Sequence, residues 1–297
     1  MKLNSEFVSN ISDIYGELGK TWLKDLPIHI ERICIQWNVQ FVKPIPDLSY
    51  NFVGIVKIHS GVDAILKMAP VKEHIASEAH WLHCFTSGVA TLYEYNELEN
   101  AILMEQLKPG QSLKSLVKEG KDDDATRIIC RTIKNIQSHQ IESFAFKHLS
   151  EMAYGFDLLI GHIDERLISK AKTLFHEHTN DRKNDVVLHG DLHHDNILSS
   201  GDDWKAIDPH GYVGDPVFEV GPMIYNPLDG SFPKDKSLSE IVKRRIAILQ
   251  EELPFDPQRI KDWTFCMALL SAAWTIEGHG NLPEHVIEVA KVIDGTF

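Results

Sequence analysis

The chain has 297 residues, 43% hydrophobic and 25% charged, with a formal charge of −13 and a sequence pI near 5.6. These values describe a globular chain of one large domain or two lobes and exclude disordered, collagen-like and coiled-coil architectures. Eight basic and thirteen acidic side chains fall in residues 1–107, twenty-two and thirty in 108–297, so neither part has the basic footprint that nucleic acid or an anionic membrane requires. Acidity of this kind attracts a cationic small molecule or serves solubility alone.

Residues 5–37 are expected to form two or three helices, with Ile28, Ile30, Ile33, Cys34 and Trp37 at helical apolar spacing. The N-terminal stretch lacks the apolar core of a signal peptide, and no segment approaches the ~18 apolar residues of a membrane span. Cys34, Cys84, Cys130 and Cys266 form no CxxC pair, so a cytoplasmic protein with reduced thiols is expected. Residues 51–58 and 64–68 flank a turn at Ser60-Gly61-Val62-Asp63 and predict a β-hairpin. A helix over 71–85, with Ile75, Ala79 and Leu82 on one stripe, and strands at 89–95 and 101–106 follow. The turn signal Lys108-Pro109-Gly110-Gln111 marks a seam between residues 1–107 and 108–297. Beyond it, helices are expected at 112–118, 122–139, 151–178, 237–252, 257–276 and 283–294, interrupted by short strands over 185–208. A β-rich half followed by an α-rich half is an α+β pattern.

The chemistry concentrates in VVLHGDLHHDNILSSGDDWKAIDPHGYVG, residues 186–214. A short apolar strand delivers a polar loop, His189-Gly190-Asp191-Leu192-His193-His194-Asp195-Asn196, and a second hairpin strand ends at Asp208. Asp191, Asn196 and Asp208 therefore sit at strand ends around one tight hairpin. A carboxylate beside a hydroxyl orients it and accepts its proton. An amide oxygen and a second carboxylate are hard ligands suited to Mg²⁺. Phosphoryl transfer uses these parts.

The loop His189-Gly190-Asp191-Leu192-His193-x-x-Asn196, with Ile207-Asp208 downstream, resembles the catalytic segment of the aminoglycoside phosphotransferase family of the protein-kinase-like fold. Its continuation, Asp208-Pro209-x-Gly211 with Gly214-Asp215-Pro216 and Glu219, is similar to the streptomycin 6-phosphotransferase and hydroxyurea phosphotransferase group, as are Trp22-Leu23-x-x-Leu26-Pro27 and Trp37. The resemblance implies a bilobal fold, with a β-rich N-lobe over 1–107 and a mainly helical C-lobe over 108–297, and ATP and Mg²⁺ as cofactors, the nucleotide between the lobes. It implies Asp191 as catalytic base, Asn196 and Asp208 as Mg²⁺ ligands, Lys67 on the α- and β-phosphates, and Glu78 as its partner. Glu78 shares the inward face of Ile75 and Leu82 on helical geometry, whereas Glu73 points elsewhere. The segment Met104-Glu105-Gln106-Leu107 would be the hinge that reads adenine, through Glu105 and Leu107. The implied activity is phosphorylation of a small-molecule hydroxyl, on an aminoglycoside such as streptomycin, in antibiotic resistance. Kinases of choline, homoserine or sugar type share the loop, and a catalytically silent nucleotide-binding protein of the same fold is the rival class.

Two features depart from that pattern: residues 49–54 are not G-x-G-x-x-G, and His210 stands where the streptomycin kinases suggest lysine. Asp215 and Glu219 either reach the acceptor or cap the helix starting near Pro216. Trp274 and Glu277 are the expected edge of the acceptor pocket. His189, His193 and His194 could be read as a zinc cluster, but a Gly-containing loop after a strand lacks the helical spacing of such ligands. Asp122-Asp123-Asp124 reads as a capping, solvated acidic run, Lys243-Arg244-Arg245 as a solvated helix face, and Trp263 as core.

Overall fold

The computed structural model describes residues 3–46, 48–139, 141, 146–233 and 235–295, apart from the side chains of Glu73, His74 and His279, so the sequence comparison of Glu73 with Glu78 lies partly outside the described residues. The chain divides into two compact units, Met1–Lys108 and Pro109–Phe297. The fold is α+β, with its long antiparallel sheet in the first unit and most of its helices in the second.

The first unit opens with α1, Ser5–Trp37, capped by the Asn4 side chain on the Phe7 N–H. This run stands where two or three helices were expected, and Gly16 (φ +56°, ψ −132°) breaks its helical path once. Its inward residues Phe7, Ile11, Trp22, Leu26, Ile30 and Ile33 recur at three- to four-residue steps after the break and bury against the sheet, while Ile28 is exposed. The sheet comprises β1 (Gln40–Pro44), β2 (Phe52–Lys57), β3 (Asp63–Met68), β4 (Leu92–Asn96) and β5 (Ala101–Glu105), all antiparallel, in the order β1-β2-β3-β5-β4. Phe52, Val56, Ala64, Leu66, Met68, Ala101 and Leu103 complete the core under α1. Between β3 and β4 lies α2, Lys72–His83, whose stripe Ile75, Ala79 and Leu82 is buried as its spacing dictates.

The second unit begins with β6 (Pro109–Ser112), α3 (Lys114–Lys118) and α4 (Asp122–Gln137). The single helix expected over 151–178 is instead a 3₁₀ segment, Leu149–Leu159, followed by α5, Glu165–Asn180. Gly161 (φ +83°) turns the chain between them, and Asp164 caps α5 by accepting the Arg166 N–H. Short strands then form two small sheets. Strands β9 (Ile197–Ser200) and β10 (Asp203–Ala206) pair as a hairpin beside β6, while β11 (Tyr212–Gly214) lies between β7 (Lys147–His148) and β8 (Val186–Leu188). After α6 (Gly221–Tyr225) and α7 (Leu238–Glu252), the helix α8 (Pro257–His279) is buried on nearly every face along Ile260–Ala273, and packs against α5, α6 and α9 (Glu284–Asp294). A helix apolar all round belongs at the centre of its unit.

Two charged runs depart from the solvated reading. Arg245 is fully buried; its guanidinium clasps Asp122 through Nε and Nη2, and Nη1 donates to the carbonyls of Met223, Ile224 and Asn226. Arg244 pairs with Asp123 at the surface. The α4–α7 contact selects which members of each run are inside.

Candidate active site

The catalytic-type loop hangs between β8 and the β9–β10 hairpin, and its shape follows from a few backbone bonds. The His189 carbonyl accepts from the His210 N–H at 2.9 Å and the Gly211 N–H at 3.1 Å, which bolts the loop to the segment after β10. The His189 ring is fully buried: Nδ1 accepts from the Asp191 N–H at 3.3 Å, which leaves Nε2 to donate to the Ile207 carbonyl at 2.9 Å. Burial lowers its pKa to about 4, so the ring is neutral, as this bonding requires. Gly190 adopts φ +85°, and a Cβ there would lie 2.7 Å from the Tyr212 ring, so both conformation and space demand glycine.

These bonds set the next residue, Asp191, whose side chain is 29% exposed. Its Oδ2 lies 3.2 Å from Asn196 Nδ2, 3.4 Å from His193 Nε2 and 3.9 Å from His210 Nε2. Burial pushes this carboxyl up, but the charge and hydrogen bond of His193, then His210 and His189, outweigh it and hold it below the ordinary carboxylate value. Burial lowers His193, yet Asp191 more than reverses this and holds the imidazole above its usual value. Asp191 Oδ1 makes no hydrogen bond among the described residues. One oxygen is thus held by the protein and the other remains for a ligand.

Asn196 donates from Nδ2 to both the carbonyl and Oδ2 of Asp191, so its Oδ1 is the group left over for a cation. The hairpin register pairs Ile197 with Ala206, and the Ile207 N–H donates to the Asn196 carbonyl at 2.9 Å, so Asp208 emerges beside Asn196. Asp208 has φ +60°, a region that Asp tolerates better than most residues and that recurs at functional sites. This donor set, an amide oxygen and a half-buried carboxylate, fits Mg²⁺, which keeps several of its own waters. Among the described residues no three His, Cys, Asp or Glu side chains are grouped to hold a metal. The three histidines are spent separately, His189 on Ile207, His193 on Asp191, and His194 fully buried, where desolvation drives its pKa well below the ordinary value.

In the first unit, Lys67 on β3 donates to Glu78 on α2 at 2.6 Å, with both side chains buried. Glu105 closes β5 and accepts from the Thr91 N–H and hydroxyl at 3.1 and 3.0 Å, and Leu107 is buried just beyond it.

Of the two sequence alternatives for Asp215 and Glu219, their bonds in the structure match the supporting one. Asp215 is 4% exposed; Oδ1 accepts from the Val217 N–H, as the capping alternative expects, and Oδ2 accepts from Arg259 at 2.6 Å and from the Trp263 indole. Glu219 has no exposed surface, and its Oε1 accepts from the Gly190 N–H at 2.9 Å. Burial raises its pKa to about 8, against the Gly190 bond and with help from the Asp191 charge, so it is a neutral acid beneath the loop at pH 7. Trp274 is half-buried on α8, its indole facing Gly155, and Glu277 is exposed one turn further on. Sequence reasoning missed the tie from Glu219 to Gly190 and the two imidazoles on Asp191. Only the latter had a signal: His193 and His210 each follow, by two residues, an aspartate assigned to the site.

Fold and loop together define a protein-kinase-like architecture. A crystal structure of choline kinase from Streptococcus pneumoniae superposes with TM-score 0.61 at 14% identity, covering 91% of this chain and 97% of that one. The aminoglycoside/hydroxyurea antibiotic resistance kinase family model matches residues 36–278, and the chain belongs to that family. It is 26% identical to streptomycin 6-kinase of Streptomyces glaucescens over 95% of this chain and 93% of that protein, and 30% identical to streptomycin 3''-kinase of Klebsiella pneumoniae over 75% and 84%. The protein is a small-molecule phosphotransferase with a hydroxyl acceptor. Among the described residues no helix is long and apolar enough to cross a membrane.

Proposed function

We propose that this chain transfers the γ-phosphate of ATP, with Mg²⁺, to a hydroxyl of streptomycin or a related aminoglycoside, in the cytoplasm and as a resistance function. The observation that carries this reading is the asymmetric Asp191 carboxylate, with Oδ2 held by Asn196 and His193 and Oδ1 left for an incoming hydroxyl. Asp191 orients that hydroxyl and accepts its proton as the phosphorus–oxygen bond forms; its depressed pKa keeps it ionised for the task. Asn196 and Asp208 would hold Mg²⁺, which supplies charge neutralisation on the phosphates. Lys67, oriented by Glu78, contacts the α- and β-phosphates, and the backbone from Glu105 to Leu107 reads adenine. Trp274 and Glu277 border the acceptor. Positioning and electrostatics carry most of the rate.

The test is ATP consumption with streptomycin, other aminoglycosides, hydroxyurea, choline, homoserine and sugars. Turnover is expected with an aminoglycoside, and Asp191→Asn, which keeps the shape, should lower kcat about 10³-fold with a native melting profile. Equal turnover by that variant sinks the assignment of Asp191. No turnover with any acceptor supports the silent nucleotide-binding alternative, and turnover confined to hydroxyurea or choline moves the acceptor class.

A further inference from the structure

We infer that Ser150, His148 and Asp185 form a second active site in this chain, a nucleophilic site of serine-hydrolase type that accepts the acyl group of an aryl or other activated ester. This site is separate from Asp191 and does not depend on the phosphotransfer reading.

A small sheet brings the three residues together. His148 ends β7, and Asp185 immediately precedes β8. Strand β11 lies between these two, and its Val213 pairs with His148 on one side and with Val187 on the other. His148 and Asp185, 37 residues apart in the chain, therefore flank the same end of β11. Asp191 lies beyond the opposite end of β8. From β7 the chain turns directly into the 3₁₀ segment Leu149–Leu159, which sets Ser150 against the His148 ring.

The Ser150 Oγ is 2.8 Å from His148 Nδ1, and His148 Nε2 is 3.0 Å from Asp185 Oδ2. A third bond fixes the tautomer. The Ser150 backbone N–H donates to Nδ1 at 3.1 Å, so Nδ1 carries a lone pair and the ring proton is on Nε2, facing Asp185. The imidazole thus presents its basic nitrogen to the hydroxyl, and a carboxylate orients the ring from behind, the relation that activates a serine. Ring and carboxylate are each 14% exposed, so little water competes for these bonds.

A capping histidine accounts for the bond from the Ser150 N–H alone. It calls neither for Asp185 nor for the setting of Ser150 on a cleft of about 840 Å³. The buried rings of Phe156 and Phe175 and the exposed ring of Tyr154 line that cleft, which suits a flat, apolar acyl or aryl group. In the reaction the Ser150 oxygen bonds to the acyl carbon and its proton passes to His148 Nδ1. The ester C–O bond breaks, and the leaving oxygen takes that proton. Water then adds to the acyl carbon, giving a proton to Nδ1, and the carboxylic acid leaves as Ser150 recovers its own.

The probes are a fluorophosphonate and p-nitrophenyl acetate, used on the full chain. With the first, Ser150 Oγ bonds to phosphorus, fluoride leaves and the proton goes through His148 to solvent. The label is expected on Ser150 by peptide mass mapping, and p-nitrophenyl acetate should give a first-turnover burst of about one equivalent of nitrophenolate. Ser150→Ala should lose both. His148→Asn separates a cap from a base. Asn keeps a capping oxygen for the Ser150 N–H but cannot take the hydroxyl proton, so labelling should slow about 10²-fold at an unaltered melting temperature. Asp185→Asn removes the charge that orients the ring and should slow labelling about 10-fold, the worth of one hydrogen bond, again with native melting. No label, label on another residue, or His148→Asn reacting at the wild-type rate overturns the inference.

Discussion

The two units each carry a charged group that the proposed chemistry needs, and they stabilise it in opposite ways. In the first, Lys67 and Glu78 are almost wholly removed from water and pair with each other at 2.6 Å. In the second, Asp191 keeps contact with solvent and is held by an amide, two imidazoles and the loop backbone, none of which carries a compulsory opposite charge. A buried ion pair is rigid but vulnerable, since loss of one member strands the other. A carboxylate with several weak partners loses little when one goes, and retains an open oxygen for a ligand.

The largest stability effect should therefore fall in the first unit. Lys67→Met should destabilise by about 3–5 kcal/mol in urea unfolding, and adding Glu78→Leu should recover much of it. Asp191→Asn should cost under about 1 kcal/mol while removing activity; a loss comparable to that of Lys67→Met would erase the contrast. Gly190→Ala comes next. Positive φ and the Tyr212 ring should together cost about 1–3 kcal/mol and lower kcat more than KM, because the next residue, Asp191, is displaced. Unaltered kcat would show that the loop absorbs the change. The smallest effect concerns Glu219, which has no exposed surface. Its folded pKa is raised, so its contribution to stability is complete below about 4.5 and is lost as pH rises toward about 8. Glu219→Gln cannot ionise, so its melting temperature relative to wild type should climb by several °C between pH 5 and pH 8. A pH-independent difference would mean that Glu219 is already ionised in the fold.

Three histidines in one eight-residue loop show what spacing alone conveys. His189, His193 and His194 are chemically identical in the sequence, yet one fixes a tautomer between two backbone groups, one meets Asp191, and one is enclosed as a neutral ring. The same limit applies to Lys243-Arg244-Arg245, where α7 turns Arg245 into the α4 contact and leaves Arg244 at the surface. Asp215 and Glu219 sit in a motif whose acidic character fits either a pocket or a scaffold, and packing against α8 and Gly190 decided for the scaffold.

By itself the sequence determined what depends on local order. Its β-forming runs around a turn placed the β2–β3 hairpin, its period-3.6 pattern placed α2 and put Glu78 on the buried face of Ile75 and Leu82, and its polar run marked the loop from His189 to Asn196 with Asp208 behind it. Only the tertiary structure decided which charges are buried, how the 3₁₀ segment and α5 divide, and which groups meet at Asp191. Those outcomes depend on residues far apart in the chain, such as Gly190 with Glu219 and Asp122 with Arg245, whose contacts arise from the packing of whole elements.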